Sequence, residues 1–133
     1  MNQQTKLLII DDDAGDRRLI HDVLVNASLN MDIIMAENGE KGLEKVNELK
    51  PDLIVVIDTR MPGIDGFETC KKIKEMDENL KVIICTGVVD AVDAGKARAA
   101  GADDYCVKTA DGGPLINAIR NLMSLKLSGI EYK

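Results

Sequence analysis

The segment Leu7-Leu8-Ile9-Ile10-Asp11-Asp12-Asp13 decides the fold class, because an unbroken apolar run ends abruptly in three carboxylates. A short run that is apolar on both faces is typical of a parallel strand buried between two layers of helices. Four more runs of this kind follow, at 33–35, 53–57, 82–85 and 105–107. The chain therefore contains five candidate parallel strands.

Segments of helical periodicity separate these runs and follow the last one. Apolar residues recur every three or four positions in 19–27, 43–49, 67–76 and 115–123, which predicts amphipathic helices. Pro51 blocks extension of the second helix, and Pro114 suits the first turn of the last. The weakest segment is 90–100, which is alanine-rich and should bury little beyond Val92 and the preceding Val89. Gly95 within it costs about 1 kcal/mol relative to alanine. We expect this helix to be the least firmly held.

Strict alternation of strand and helix predicts a doubly wound α/β fold, since right-handed crossovers place helices on both faces of a parallel sheet. The expected strand order is 2-1-3-4-5, as in flavodoxin-like sheets. A length of 133 residues suits a single domain, assigned to 1–127, with 128–133 as a C-terminal tail.

Composition limits the function classes. With 23 acidic and 17 basic residues the net charge is −6, which repels phosphate backbones and argues against nucleic-acid binding by this chain. No apolar run has the length of a signal peptide or a membrane span, so we expect a cytoplasmic protein without a membrane partner. The three cysteines, Cys70, Cys85 and Cys106, are interpreted as small apolar core residues in a reducing compartment.

Polar residues follow four of the predicted strands. Asp11 and Asp12 follow the first, Asp58 the third, Thr86 the fourth and Lys108 the fifth. Ligands of open α/β sheets bind at this carboxyl edge, so the carboxylates should converge. Each close pair of carboxylates costs about 1 kcal/mol in water and about 4 kcal/mol at an effective dielectric near 20. Oxygen ligands with room for water favour Mg²⁺ as the compensating cation.

The same residues resemble the response-regulator receiver family. The matching elements are Asp11-Asp12-Asp13, then Asp58-Thr-Arg-Met-Pro-Gly-Ile-Asp-Gly66, Thr86-Gly87, Gly101-Ala-Asp-Asp-Tyr105, and Lys108. Each element is weak alone, but all of them occur in order and after the expected strands. The resemblance covers the chain from Lys6 to Leu127.

The resemblance implies a role for each residue of the site. Asp58 is the phosphoacceptor, supplied by a sensor histidine kinase or a small acyl phosphate. Asp11 and Asp12 hold Mg²⁺, for which Mn²⁺ can substitute, together with the Asp58 carboxylate and the backbone carbonyl of Arg60. Three further residues contact the phosphoryl group: Lys108 by its charge, Thr86 by its hydroxyl and Gly87 by its backbone.

The resemblance also implies a switch. Thr86 and Tyr105 match the family's switch residues, whose movement reshapes the surface of the fourth helix, fifth strand and fifth helix. The expected readout is altered binding to a downstream protein target or output domain, or homodimerisation on phosphorylation. The chain is not expected to be an enzyme beyond catalysing its own phosphorylation and dephosphorylation.

Two departures from the family pattern affect these expectations. Thr109 replaces the proline that usually follows the lysine in this family, so we expect a trans Lys108–Thr109 peptide bond and a shifted loop. Residues 110–113 replace the bulky residue expected next, so this loop should also be looser than usual. The resemblance also implies that the residues at the positions of Arg60 and Val88 tune the lifetime of the phosphoryl group. We expect the Arg60 guanidinium to lean over the acidic pocket and the branched Val88 side chain to exclude water. Together they predict slow self-hydrolysis of the acyl phosphate.

Two alternatives remain at this point. One is a degenerate receiver that keeps the fold and serves only as a docking module. The other is a phosphatase resembling the haloacid-dehalogenase family, whose Asp-x-Asp, Thr, Lys and acidic pair could be Asp11-x-Asp13, Thr86, Lys108 and Asp103-Asp104. Against it, the lysine precedes the acidic pair in that family, whereas Lys108 follows it here.

Overall fold

The computed structural model describes residues 5–49 and 53–128. Five strands alternate with five helices in these residues. The strands are β1 (Thr5–Ile10), β2 (Met31–Ala36), β3 (Leu53–Asp58), β4 (Lys81–Thr86) and β5 (Asp104–Val107). The helices are α1 (Ala14–Asn26), α2 (Gly39–Leu49), α3 (Gly66–Met76), α4 (Ala91–Ala99) and α5 (Gly113–Ser128). The predicted tail, 128–133, lies outside the described residues except for Ser128, which ends α5.

All strand pairs are parallel, and the sheet order is β2-β1-β3-β4-β5. The predicted fold class and strand order are therefore confirmed. The central strand β1 pairs with both β2 and β3, and its residues Leu7 to Ile10 are completely buried. The carboxyl ends of β1, β3 and β4 consequently lie side by side.

Alternate strand residues build two separate cores. Leu8 and Ile10 pack in the cluster that holds the buried residues of α2, α3 and α4, whereas Leu7 and Ile9 pack with those of α1 and α5. This follows from the two-residue period of a strand, since successive side chains point to opposite faces. Each fully buried Leu, Ile or Val side chain of these cores contributes about 1.5–3 kcal/mol through its burial. The sheet is therefore fixed from both sides.

Aspartates are the N-caps of three helices that start at the carboxyl edge of the sheet. Asp13 accepts hydrogen bonds from the amides of Gly15 and Asp16, and Asp65 and Asp90 cap α3 and α4 in the same way. An N-cap carboxylate satisfies amides that have no partner within the helix. Asp13 therefore serves as the N-cap of α1, and of the three consecutive aspartates Asp11 and Asp12 remain as candidate metal ligands.

The predictions for α4 and α1 need correction. Val89 and Val92 are 60% and 66% exposed, and Ala97 is the buried residue of α4. Leu19, assigned to the apolar face of α1, is 40% exposed, while Ile20 and Leu24 are buried. Val89 and Val92 flank the Asp90 cap at the start of α4, which buries only Ala97, and Leu19 lies beside the face of α1 that Ile20 and Leu24 bury.

The three cysteines occupy core positions, as the sequence predicted. Cys70, Cys85 and Cys106 are free and buried. The Sγ atoms of Cys85 and Cys106, which are register partners in β4 and β5, are 3.5 Å apart.

Among the described helices, none combines the length and apolar character needed to cross a membrane.

Candidate functional site

The site lies where β1, β3 and β5 end. Asp11 follows β1, Asp58 ends β3, and Lys108 follows β5. Lys108 reaches back across the sheet edge, and its Nζ atom lies 2.8 Å from Oδ2 of Asp11 and 3.1 Å from Oδ1 of Asp58. The predicted convergence of these three side chains is thus present in the structure.

Asp11, Asp12 and Asp58 form a group of potential metal ligands. Each offers a carboxylate oxygen, and these oxygens lie within 4.8 Å of one another. Asp11 is buried, Asp58 is half-buried and Asp12 is exposed. Because Mg²⁺ binds oxygens at about 2.0–2.1 Å and keeps several waters, an all-oxygen set open on one side suits it. The donor set fits a hard divalent cation rather than a soft metal.

The electrostatics of the carboxylates agree with a need for positive charge. Burial, followed by the negative charge of Asp11, raises the pKa of Asp58 above its ordinary value, while Lys108 and the amide of Thr59 act in the opposite direction. For Lys108, burial lowers the pKa, but hydrogen bonds to Asp11 and Asp16 outweigh it, so its pKa is raised. The acidic neighbours of Lys108 therefore favour its charged form, whereas burial and Asp11 disfavour the charged form of Asp58.

A cleft of about 340 Å³ opens beside Asp58. Thr86, Gly87, Arg60 and Val88 are among the residues that line it. No described heavy atom lies within 4 Å of where a Cβ atom would stand on Gly87. The cleft has room for a tetrahedral group attached to the Asp58 carboxylate.

The two predicted switch residues both contact the loop between β4 and α4. Thr86 is buried, and its hydroxyl donates a hydrogen bond to the carbonyl of Val88 at 3.1 Å. Tyr105 is half-buried, and its hydroxyl accepts a hydrogen bond from the amide of Asp90 at 3.4 Å. Both hydroxyl groups therefore hold this loop rather than Asp58.

Arg60 and Val88 line the cleft beside Asp58. Both side chains are exposed, with Val88 exposed by 75%. Within the described chain, Lys108 rather than Arg60 forms ion pairs with the acidic cluster. The cation inside the pocket is thus supplied by β5 and not by the loop after β3.

The loop after Lys108 is closed by several hydrogen bonds. The amide of Lys108 donates to the carbonyl of Thr86, and the amide of Gly112 donates to the carbonyl of Thr109. Asp111 accepts hydrogen bonds from the Thr109 hydroxyl and the Gly113 amide. This network orients the end of β5, from which Lys108 extends. The isomer of the Lys108–Thr109 bond stays a prediction.

Sequence reasoning assigned no role to Asp16, Arg17 or Gly66. The Asp16 carboxylate lies 2.9 Å from Nζ of Lys108, and the Arg17 guanidinium donates to the carbonyl of Asp11 at 2.7 Å. A Cβ atom on Gly66 would stand 2.0 Å from the carbonyl oxygen of Asp58, so only glycine allows α3 to start so close to the site. The sequence carried no signal for Asp16, because the apolar period of α1 identifies its buried face and not the partners of its polar residues.

The acidic pair of the phosphatase alternative lies elsewhere. Asp103 accepts hydrogen bonds from the Lys74 ammonium and the Val82 amide, each at 2.8 Å. Val82 stands near the beginning of β4, so Asp103 lies at the sheet edge opposite Asp58. Asp103 and Asp104 therefore cannot act together with Lys108 in a phosphatase site.

Comparisons with known proteins agree with this geometry. The family model described as the response regulator receiver domain matches residues 7–120. The chain is 34% identical over 125 residues to the chemotaxis protein CheY of Bacillus subtilis, covering 90% of this chain and 98% of that protein. It is 38% identical over 117 residues to the transcriptional regulatory protein AfsQ1 of Streptomyces coelicolor, covering 88% of this chain but only 50% of that protein.

Among solved structures, the response regulator TrrA of Thermotoga maritima in complex with Mg²⁺ and beryllofluoride superposes with a TM-score of 0.80. The two chains are 28% identical, and the match covers 90% of this chain and 99% of the other. Receiver domains are signalling domains of two-component systems that work with histidine kinases and with output domains or target proteins. The chain belongs to the response regulator receiver domain family.

Proposed function

We propose that this chain accepts a phosphoryl group on Asp58 in a Mg²⁺-dependent reaction and changes its α4–β5–α5 surface in response. The observation that carries the proposal is the meeting of Asp11, Asp12 and Asp58 with Lys108 at one edge of the sheet. Family membership supports a phosphoacceptor role for a carboxylate at this place. The donor is a sensor histidine kinase, or a small acyl phosphate in its absence.

In the proposed reaction an oxygen of the Asp58 carboxylate attacks phosphorus. The bond from phosphorus to the donor, an imidazole nitrogen or an acyl oxygen, breaks as the new P–O bond forms. The donor leaves with the bonding electron pair, and Asp58 becomes an acyl phosphate. Lys108 offsets the charge on the transferring oxygens, which lowers the barrier because positive charge near these oxygens stabilises the transition state.

Asp11, Asp12 and Asp58 would hold the metal ion, and the carbonyl of Arg60 would complete the protein ligands. A bound Mg²⁺ supplies charge neutralisation, so that a negative carboxylate and a negative phosphoryl group can approach. Gly87 would offer its backbone to the phosphoryl group within the cleft. We further propose that Arg60 and Val88 make self-hydrolysis slow. Unchanged phosphoryl lifetimes in Arg60→Asn and Val88→Ala would refute that last part.

The switch would begin at Thr86. Its hydroxyl would leave the carbonyl of Val88 and donate to the phosphoryl group, and Tyr105 would then turn into the space released. The β4–α4 loop would lose two of its hydrogen bonds, and the exposed valines Val89 and Val92 would change position with it. This surface would bind a downstream protein or output domain, or a second copy of the chain.

Labelling with acetyl phosphate tests the phosphoacceptor directly. The protein is incubated with acetyl phosphate and Mg²⁺, and intact-mass spectrometry followed by peptide mapping locates the added group. We expect one HPO₃ unit on Asp58, no label with EDTA, and no label in Asp58→Asn. Asp32→Asn removes an exposed carboxylate from β2 and should label like the parent. Labelling of Asp58→Asn as readily as the parent would refute the proposal, and a parent that takes no label would favour the docking-module alternative.

A further inference from the structure

Lys108 is shared among three carboxylates, and one of them is not part of the proposed metal site. Its Nζ atom lies 2.8 Å from Asp11, 2.9 Å from Asp16 and 3.1 Å from Asp58. An ammonium group has three hydrogens. Asp16, on the first turn of α1, therefore takes one of the donors that a phosphoryl group on Asp58 would need.

The position of Asp16 is fixed by the structure around it. The Asp13 cap accepts hydrogen bonds from the amides of Gly15 and Asp16, which sets the first turn of α1. The next residue, Arg17, is tied to the carbonyl of Asp11. The backbone amide of Lys108 donates to the carbonyl of Thr86 at 2.7 Å. Both partners of the Asp16–Lys108 contact are thus held by independent hydrogen bonds.

We propose that Asp16 is a positioning residue that competes with the phosphoryl group for Lys108 and so stabilises the unphosphorylated state. This inference rests on the proposed function and deepens it. A cation bound by Asp11 and Asp58 would repel the nearby ammonium, and Asp16, which is not among the candidate metal ligands, offers Lys108 another partner. Phosphorylation requires the ammonium to turn back toward Asp58, against the attraction of Asp16.

The competition predicts opposite effects on two ligands. Removal of the Asp16 charge lowers the negative charge around the metal ligands, so Mg²⁺ should bind more weakly. The same change frees Lys108 and removes the repulsion between the Asp16 carboxylate and a negatively charged phosphoryl analogue, so the analogue should bind more tightly. Each effect should be about threefold to tenfold, as expected for one charge acting over several ångströms at a partly hydrated site. A merely structural role would weaken both.

The test compares Asp16→Asn with the parent protein in two titrations. Isothermal calorimetry measures the Mg²⁺ affinity alone and then the beryllofluoride affinity at saturating Mg²⁺. Asp16→Glu keeps the charge and should restore both constants to within about twofold. Asp22→Asn removes a charge from the same helix, where Asp22 is 54% exposed and pairs with Arg18 and His21, and should leave both unchanged.

The two titrations separate failure of this inference from failure of the proposed function. A parent protein that binds no beryllofluoride contradicts the proposed function. A parent that binds it, with Asp16→Asn binding no tighter, overturns the competition. Changes of both constants in the same direction also overturn it, as does an equal effect of Asp22→Asn. Asp16 is 41% exposed and caps no helix end, so the asparagine variant should fold, and amide NMR spectra check this.

Discussion

The buried hydroxyl of Thr86 donates its hydrogen bond to the carbonyl of Val88, 3.1 Å away, and not to the cleft beside Asp58. Tyr105 meets the same loop through the amide of Asp90. The β4–α4 loop is thus held by two side chains that the proposed switch would withdraw. Movement of Tyr105 should accordingly depend on the Thr86 hydroxyl.

Tyrosine fluorescence can follow this dependence, because the chain has no tryptophan and only two tyrosines. In a Tyr132→Phe background, Tyr105 is the only tyrosine. We expect its emission to change on addition of Mg²⁺ and beryllofluoride, since its hydroxyl leaves the Asp90 amide. The change should be lost in Thr86→Ala. An equal change with and without the hydroxyl would contradict the proposed coupling.

Asp58 should make the metal-free protein less stable at neutral pH. Its raised folded pKa means that the folded state holds a proton that the unfolded state releases, so stability falls as pH rises from the ordinary value of 3.8 through the raised pKa. Asp58→Asn should therefore stabilise the protein on the order of 1 kcal/mol at pH 7. Urea unfolding in EDTA measures this.

The pH dependence provides the control for Asp58→Asn. Below about pH 3, well under the ordinary pKa of 3.8, Asp58 is protonated in both the folded and the unfolded state, and the advantage of asparagine should vanish. Saturating Mg²⁺ at pH 7 should reverse the difference, because the variant loses a metal ligand. A stability difference that stayed constant from pH 3 to pH 8, in the range where Asp58 titrates, would refute the electrostatic explanation.

Gly87 should matter for the ligand and not for the fold. Since nothing described lies within 4 Å of a Cβ atom there, Gly87→Ala should leave the free energy of unfolding within about 0.5 kcal/mol. It should weaken beryllofluoride binding at least about tenfold, because the methyl group enters the cleft. Gly95→Ala, equally unobstructed but inside α4, should stabilise by about 0.5–1 kcal/mol and leave binding unchanged. Undiminished beryllofluoride binding by Gly87→Ala would place the phosphoryl group elsewhere.

Lys108 should stabilise the metal-free protein by offsetting carboxylate repulsion. Lys108→Met leaves Asp11 and Asp58 without their cation, and we expect a loss of about 1–3 kcal/mol at pH 7 in EDTA. Mg²⁺ should restore part of the stability but not labelling by acetyl phosphate. A variant as stable as the parent in EDTA would mean that the ion pairs contribute nothing to the fold.

The strand ends were predictable from the sequence, whereas the helix faces were only partly so. Asp11 and Lys108 are 97 positions apart, yet each follows a buried apolar run, and parallel strands bring such positions to one edge. Asp16 has no comparable signal, because the apolar period of α1 marks its buried face and does not tell which polar side chain will meet Lys108. The exposure of Val89 and Val92 likewise depends on how little of α4 reaches the sheet.

The central claim is that Asp58 presents its carboxylate to phosphorus between a divalent cation and Lys108. A crystal structure of the protein with Mg²⁺ and beryllofluoride tests it most directly. The account predicts beryllium density on an Asp58 oxygen, a cation on Asp11 and Asp12, and both Lys108 and the Thr86 hydroxyl in contact with fluoride. Density attached to another side chain, or Thr86 still bonded to Val88 in the fully occupied complex, would contradict it.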